Sequence, residues 1–471
     1  HSAICKMKRT NRKVFVFGID GASPDLVFGK WRRSLPNINK IVARGISGET
    51  ESTIPPISIT AWSAIFSLKY PSELGIFGYN KKTRDGGMEL VTSSDVREPR
   101  VWDMAGRENK YSTVLYVPLT FPASRMKGSM VTDFLTPGIN SNCAYPSSLK
   151  KEIRRVPNPD IFFDVAVGLA GHKGMNPDDL IKKTYIMTDM QLALAEKLLL
   201  KNNWDLFIAV MLGSDRLQHM LWNHFDETHR RYVKNSKYKN VLRDYYVYLD
   251  KRLGKMISML PPGTSVIVVS DHGMIKQNGK ININNWLMDE KYLVIKKEYE
   301  NEINSGKKIR FNTKMVDLKK TLAYGSGAYH ARIFINKKLA GKKYESVRKD
   351  ISAKIAKIKD DRGLPMETKI FRSEDIYENP KHPECPDLTV YFDNLRWASS
   401  PDFGEKGLYS WESAAGSDSA GHSRNGIFAA AGHGIPSRRI KDKIDSRRVA
   451  PTILNLLGLK IPKKIKVKPI N

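Results

Sequence analysis

Four short apolar runs, with helical patterns spaced between them, set the architecture of this 471-residue chain. They are Lys13-Val-Phe-Val-Phe-Gly-Ile-Asp20-Gly21, Ser112-Thr-Val-Leu-Tyr-Val117, Trp204-Asp-Leu-Phe-Ile-Ala-Val-Met-Leu212 and Thr264-Ser-Val-Ile-Val-Val-Ser-Asp271-His272-Gly273. Runs of this length, rich in Val, Ile and Phe and bounded by turn residues, read as strands buried on both faces. Leu35 to Gly45 reads as a helix, with Pro near its start and Gly at its end. Val101 to Asn109, Asp178 to Lys201 and Tyr245 to Leu260 carry helical spacing too. The alternation predicts an α/β fold, a doubly wound and mostly parallel sheet with helices on both faces.

Between these elements the texture changes twice. From 137 to 177 Pro, Asn and Lys are frequent and the pattern weakens, as expected of an irregular segment at a site mouth. From 277 to 397 short strands (Ala331 to Ile335, Leu388 to Phe392) alternate with a Lys-rich helix (Tyr344 to Lys359). This predicts an inserted α+β subdomain, leaving 14–276 and 398–471 as the core. Core texture returns from Gly421 to Ala431, and Val449 to Gly458 reads as a last core helix. No internal repeat is evident.

The apolar runs are far shorter than the roughly 20 residues of a membrane span. No apolar signal segment lies near the start, and Met7 is the expected first residue, with His1–Lys6 ahead of it. Cys5, Cys143 and Cys385 lie far apart, an odd number with no metal or disulfide spacing, which fits a reducing cytoplasm. The net charge is +29, from 78 basic and 49 acidic residues. Lys6, Lys8, Arg9, Arg12 and Lys13 crowd one end, and Lys460, Lys463, Lys464, Lys466 and Lys468 the other. Such a field attracts anionic substrates, nucleic acid or an acidic membrane surface. The basic runs lack the interleaved aromatics of a single-strand groove, so the two macromolecular partners are not favoured.

Ile54-Pro-Pro-Ile-Ser58-Ile-Thr60-Ala-Trp62 turns from a Pro-Pro corner into a helix, and Ser58 stands at the junction. A hydroxyl there is ordinarily an N-cap. The same place, with its free N–H groups and helix dipole, also favours an anion. Asp20 and Asp271-His272 close two of the strands, and Gly213-Ser-Asp215-Arg-Leu-Gln-His219 follows a third. Ligand sites in open α/β sheets lie at that edge. Asp215 and His219, spaced i and i+4, share one face of a helical turn. His422 sits in a Gly-His-Ser loop. Of the ten histidines, His224 and His433 are candidates for the site rim, and His172, His229 and His382 are read as surface residues or left unassigned. Carboxylate with imidazole suits zinc, or manganese, rather than a thiolate or calcium site. These groups suffice for two divalent ions, which can clamp both sides of a phosphoryl transfer. A metal-held Ser58 would ionise near neutral pH and act as a nucleophile.

The motifs Gly18-Ile-Asp20-Gly21-Ala22, Pro55-Pro-Ile-Ser58-Ile-Thr-Ala-Trp62, Tyr70-Pro71, Gly75-Ile-Phe77, Asp215-Arg-Leu-Gln-His219, Ser270-Asp271-His272-Gly273 and Ala420-Gly-His422 carry a resemblance. Softer matches are Val117-Pro-Leu-Thr-Phe-Pro122 and Ile283-Asn-Asn-Trp-Leu287. The chain resembles the type I phosphodiesterase/nucleotide pyrophosphatase family of the alkaline phosphatase superfamily, and within it the microbial group of predicted phosphohydrolases and phosphomutases. The resemblance runs over nearly the whole chain after Lys13 and implies an alkaline-phosphatase-like fold. It implies that Asp20, Ser58, Asp271 and His272 hold one metal and Asp215, His219 and His422 the other. Ser58 falls on the family's nucleophile, usually Thr; Thr60 is the second choice. Ser67-Leu68 and Leu74-Gly75-Ile76 depart from the family's Thr-Gly and His-Gly-Ile. Ala61 stands where secreted animal members have Asn, which leaves nucleotide specificity open.

The implied function is a two-metal phosphodiesterase or nucleotide pyrophosphatase working through a covalent Ser58-phosphoryl intermediate. A phosphomutase or phosphomonoesterase is the alternative. A sulfatase is disfavoured, because Cys/Ser-x-Pro-x-Arg is missing at Ser58. The reading from another class, a basic anion- or nucleic-acid-binding protein with a vestigial site, is opposed by the intact ligand set. Ser52 to Leu68 contains no Lys or Arg, which favours a diester over a monoester. Arg216, Arg424 or the 277–397 segment could alter that balance.

Overall fold

The computed structural model describes residues 12–463 apart from 84, 167–170 and 414–415, together with 465–470. Met7, Cys5, Lys6, Lys8, Arg9 and Lys464 lie outside the described residues. The chain alternates as its apolar runs predict: β1 (Val14–Ile19), α1 (Pro36–Arg44), β2 (Ile46–Glu51), α2 (Ser58–Ser67), α3 (Val101–Arg107) and β3 (Ser112–Leu115) come first. Next come β4 (Gly128–Val131), β5 (Ala144–Tyr145), α4 (Pro177–Leu200), β6 (Leu206–Met211), α5 (Gly213–Leu221), α6 (Val241–Ser258) and β7 (Ser265–Val269). The last core elements are β8 (Gly273–Lys276), β9 (Ala420–Ser423), β10 (Asn425–Ala431) and α7 (Val449–Leu456).

The main sheet runs β2-β10-β7-β1-β6-β3-β4-β5, with the two-residue strands Arg438–Arg439 and Ile444–Asp445 beside β2. From β7 through β1, β6 and β3 to β4 every pairing is parallel. β10 is antiparallel to both its neighbours, and β5 closes the far edge antiparallel. In β1, Phe15, Phe17 and Ile19 pack on α1, α4, α5 and α6, while Val14 and Val16 face α2, α3 and α7. That two-residue alternation is why both faces of the strand are apolar and both are covered by helices. Gly18 interrupts it for a steric reason: a Cβ there would stand 2.8 Å from both Trp62 and Val210. Its absence lets the Trp62 ring lie against the strand.

The register sets the site. Gly18 pairs with Val210 on one side and Val269 on the other, so β1, β6 and β7 end together. The loops beyond them are tied to one another. Ser214 Oγ donates to the Asp20 carbonyl at 2.7 Å, Gln218 to Gly21 O at 3.1 Å, and Ser270 Oγ to Ala22 O at 2.8 Å.

Residues 277–397 carry a four-stranded antiparallel sheet (Ala323–Ser326, Ala331–Ile335, Leu388–Tyr391, Lys369–Arg372) and the helix Tyr344–Ile355, around an apolar cluster of their own. That cluster continues to Phe403, and Gly279–Asn282 pairs with Trp397–Ser400 and Tyr409–Ser410. Among its described residues the 137–177 stretch holds β5, one short α-helix (Lys150–Arg154) and two 3-10 turns. No helix among the described residues is long and apolar enough to cross a membrane.

Candidate metal centre

Each expected site residue lies at the carboxyl edge of the sheet, and all are buried. Asp20 follows β1, Asp215 and His219 lie on α5, Asp271 and His272 lie between β7 and β8, and His422 is on β9, opposite Met274 of β8. They form two groups, Asp20 with Asp271 and His272, and Asp215 with His219 and His422. Within each, ligand-type atoms lie within 4.8 Å of one another. The rings of His272 and His422 stack at 3.9 Å and join the two groups.

Ser58 is the first residue of α2, and the cap position belongs to Ile57, in extended conformation. The Ser58 hydroxyl is therefore not spent on a helix amide. It lies 3.2 Å from Asp20 Oδ1 and 3.1 Å from His272 Nε2. Thr60 is also buried, but its hydroxyl has no hydrogen-bond partner and touches neither group.

The hydrogen bonds of the histidines show what the groups are built for. His219 Nδ1 lies 2.8 Å from Ala420 O, His272 Nδ1 2.9 Å from Gly273 O, and His422 Nδ1 2.7 Å from Pro56 O. A carbonyl only accepts, so each Nδ1 carries the proton and each Nε2 presents a lone pair. Those lone pairs converge: His219 Nε2 is 3.1 Å from His422 Nε2 and 3.2 Å from Asp215 Oδ1, and His272 Nε2 is 3.1 Å from Asp271 Oδ2. Asp215 Oδ1 and Asp271 Oδ2 have no donor. Buried acceptors facing acceptors at such distances repel unless a cation sits among them, and an imidazole fixed through its other nitrogen is the usual metal ligand. The residues present therefore fit divalent ions.

The electrostatics agree. Burial, then the charge of Asp215, pushes the Asp20 carboxyl well above the usual range, against the Trp62 hydrogen bond and Arg216. Burial, then Asp20, does the same to Asp271. Burial would raise Asp215 too, but His219 and His422, standing in for a metal cation beside it, outweigh that together with Arg216 and hold its carboxyl well below the usual range. Desolvation pushes His272 and His422 down. Trp62 Nε1 donates to Asp20 Oδ2 at 2.9 Å, and Gly21 N to Asp271 Oδ1 at 3.2 Å. Arg216 donates to Asp215 Oδ2 at 3.0 Å and holds Asp164 through Nε at 3.0 Å and Nη2 at 2.6 Å.

A cavity of about 230 Å³ opens beside Asp215, His219 and His422. Tyr79, Tyr329, His172, Lys173, Lys280 and Arg332 are among its lining. Tyr329 stacks on His422 at 4.6 Å. Asp418, between the two lysines, accepts from Lys173 at 2.8 Å and lies 3.8 Å from Lys280. The histidine expectations need correcting. His172 is buried in this lining rather than on the surface, because its loop folds against α5 and puts its ring 6.1 Å from that of His219. His229 is buried too, since it donates to Ser419 O at 2.9 Å. His224 bonds Ser236 and His433 is exposed, and neither lines the cavity. Arg424 is also turned away, to Glu51 at 3.0 Å. Asp164, Asp418, Tyr329, His330 and Arg332 went unmarked in the sequence, where no periodicity or motif sets them apart.

A doubly wound sheet with paired carboxylate–imidazole groups at its carboxyl edge defines a metal-dependent α/β hydrolase. The chain belongs to the type I phosphodiesterase/nucleotide pyrophosphatase family, whose family model matches residues 14–421. Among solved structures, murine ectonucleotide pyrophosphatase/phosphodiesterase 5, in an inactive threonine-to-alanine variant bound to AMP, aligns with a TM-score of 0.57 at 13% identity, covering 98% of this chain and 97% of that one. Its human counterpart gives 0.56 at 14%, with 96% of each chain covered. Phosphonoacetate hydrolase from Sinorhizobium meliloti, in complex with phosphonoacetate, gives 0.59 at 13%, with 95% of each covered. No curated protein matches the chain.

Proposed function

We propose that the protein is a two-metal phosphodiesterase that works through a covalent Ser58-phosphoryl intermediate. The observation that carries this is a pair of adjoining groups of buried carboxylates and proton-fixed imidazoles, one of which reaches the Ser58 hydroxyl through Asp20 and His272. Asp20, Ser58, Asp271 and His272 would hold one ion and Asp215, His219 and His422 the other, zinc by preference and manganese second. Bound there, the ions would draw charge from the phosphoryl oxygens and keep the Ser58 oxygen ionised.

Ser58 Oγ, at the amide end of α2, forms the bond to phosphorus as the bond to the departing alcohol breaks in line with it. Water then bonds to phosphorus, and the link to Ser58 breaks. That the murine neighbour is inactive once a threonine becomes alanine fits a hydroxyl nucleophile on this fold. Residues 277–397 act as the substrate-selecting cap, and 137–177 supply the mouth on which His172 and Lys173 lie. The free thiols of Cys143 and Cys385 suit a cytoplasmic setting.

A monoesterase or mutase is the second reading, because Lys173, Arg216, Lys280 and Arg332 all line the cavity. Bis(p-nitrophenyl) phosphate and p-nitrophenyl phosphate, compared at one pH with zinc or manganese, decide between them. The diester should have the higher kcat/KM, and acid-quenched protein should carry the phosphoryl adduct on the Ser58 peptide. A monoester preference of roughly tenfold, about 1.4 kcal/mol, would reverse the choice. No turnover of either would remove the hydrolase reading.

A further inference from the structure

Arg332 is a buried cation with no carboxylate in contact, the charge of Glu384 reaching it only at longer range. It is 4% exposed, on the strand Ala331–Ile335 of the 277–397 segment, and it lines the same cavity as Asp215, His219 and His422. Its Nη2 reaches Ser326 Oγ at 3.3 Å, across the strand pair that sets Ser326 opposite Arg332. Its Nε and Nη1 have no hydrogen-bond partner, and no carboxylate among the described residues comes within 4.0 Å of it. The ring of Phe334 lies 5.9 Å away, a weak contact.

The other basic residues of the lining differ. Lys173 and Lys280 share Asp418, Arg216 is held by Asp164 and Asp215, and Arg310 is exposed at the rim. His330 stands two residues from Arg332, 1% exposed, in the same lining, with both ring nitrogens unpartnered. Gly78 keeps the approach open: even a Cβ there would stand 3.8 Å from Arg332 Nη2. A guanidinium buried with two N–H groups unanswered is costly, and its planar fork matches a carboxylate or phosphate.

We propose that Arg332, with His330 and Ser326 beside it, binds a second anionic group of the substrate, a carboxylate or a phosphate separate from the phosphorus attacked by Ser58. The proposal rests on the phosphoester-hydrolase reading of the cavity and narrows its substrate to small diesters or phosphonates with an anionic tail. The cavity volume of about 230 Å³ lies below the roughly 300–1,000 Å³ of drug-sized sites, which suits a compact dianion.

The test uses three p-nitrophenyl phosphate diesters whose second alcohol ends in a methyl, a carboxylate or a phosphate. Wild-type kcat/KM should favour an anionic tail over methyl by roughly tenfold or more, as one charge-assisted hydrogen bond supplies. The two anionic arms identify which group the site takes. Arg332→Met should collapse the ratio towards one, and Arg332→Lys should retain part of it. In parallel, 3-phosphonopropionate and propylphosphonate are titrated calorimetrically into chelator-treated protein. The carboxylate should tighten binding in wild type and not in Arg332→Met. If no diester is hydrolysed, the hydrolase reading fails and this binding arm alone decides the anion site. The ligand-free Tm of Arg332→Met should rise, because an uncompensated buried charge is removed. A wild-type ratio near one in both arms overturns the proposal. So does a preference that survives Arg332→Met, and a fall in Tm alongside it assigns Arg332 to packing.

Discussion

Trp62→Phe probes the metal centre from outside its ligand set. In the folded protein the indole N–H donates to Asp20 Oδ2 at 2.9 Å, and the ring stacks on Phe66 at 5.7 Å. Phenylalanine keeps the stack and loses the donor. Without metal, burial holds the Asp20 carboxyl towards its neutral form, so the lost bond is close to a neutral one, about 1 kcal/mol, plus the smaller ring's packing. With metal bound Asp20 is ionised, and the same bond is charge-assisted, about 1.5–3 kcal/mol. The difference must appear as weakened binding at the Asp20 group. Loss of an outer partner of a ligand typically costs 10–100-fold in affinity, about 1.4–2.7 kcal/mol. The first route gives about 0.5–2 kcal/mol, so the two routes round the cycle overlap at about 1.4–2 kcal/mol. The assay is denaturant unfolding in chelator and in excess manganese, with manganese affinity measured separately. Phe66→Leu is the control: it disturbs the same stack without touching Asp20, and should cost equally in both conditions. A Trp62→Phe variant that loses the same stability with and without metal, and keeps its affinity within twofold, would refute the role given to Asp20.

Ser58→Ala should lower turnover by several orders of magnitude, about what loss of a covalent nucleophile costs, while Thr60→Ala stays within a few-fold. The stability change of Ser58→Ala should be small, because the hydroxyl caps nothing. The reverse activity pattern would move the nucleophile by two residues, and two active variants would end the covalent mechanism. Asp215→Ala and His422→Ala should each lower metal content mainly at one ion, read by elemental analysis after reconstitution; equal loss of both would dissolve the two-group assignment. Burial pushes the Lys280 ammonium down to about 8, with Asp418 opposing. The folded state then binds fewer protons than the unfolded one above that pH, so stability should rise from about pH 8 towards 10.5, by about 3 kcal/mol. Lys280→Met should flatten that rise in pH-dependent unfolding, and an unchanged slope would contradict it.

The sequence made the centre of the sheet legible because β1, β3, β6 and β7 are buried on both faces and written as unbroken apolar runs. It missed β4 and β5, where Gly128-Ser-Met-Val131 and Ala144-Tyr145 are too short and mixed to stand out. It could not show that β10 runs antiparallel, since an apolar run carries no direction. Asp20, Ser58, Asp271 and His272 stood out in the sequence because each closes a strand or starts the next element, Asp215 and His219 because they are one helical turn apart, and His422 only through the motif resemblance. Ser58 was ambiguous by nature: a hydroxyl before a helix caps it or does not according to where the first turn begins, and here Ile57 takes the cap. Arg332, His330 and His172 were illegible because their roles lie in partners they lack, which only the folded chain reveals.

β10, residues 425–431, lies between β2 and β7 and pairs with both. During synthesis, β2 and β7 leave the ribosome long before it. Until residue 431 emerges, each keeps a row of backbone groups bare. β2 thus joins the parallel strands only through one late strand, as in folds dominated by distant pairings. A chain cut short before Ala420 would carry Asp20, Ser58 and Asp271 yet lack His422 from the Asp215 group. Completion of that group, like closure of the sheet, therefore waits on a segment made late in translation.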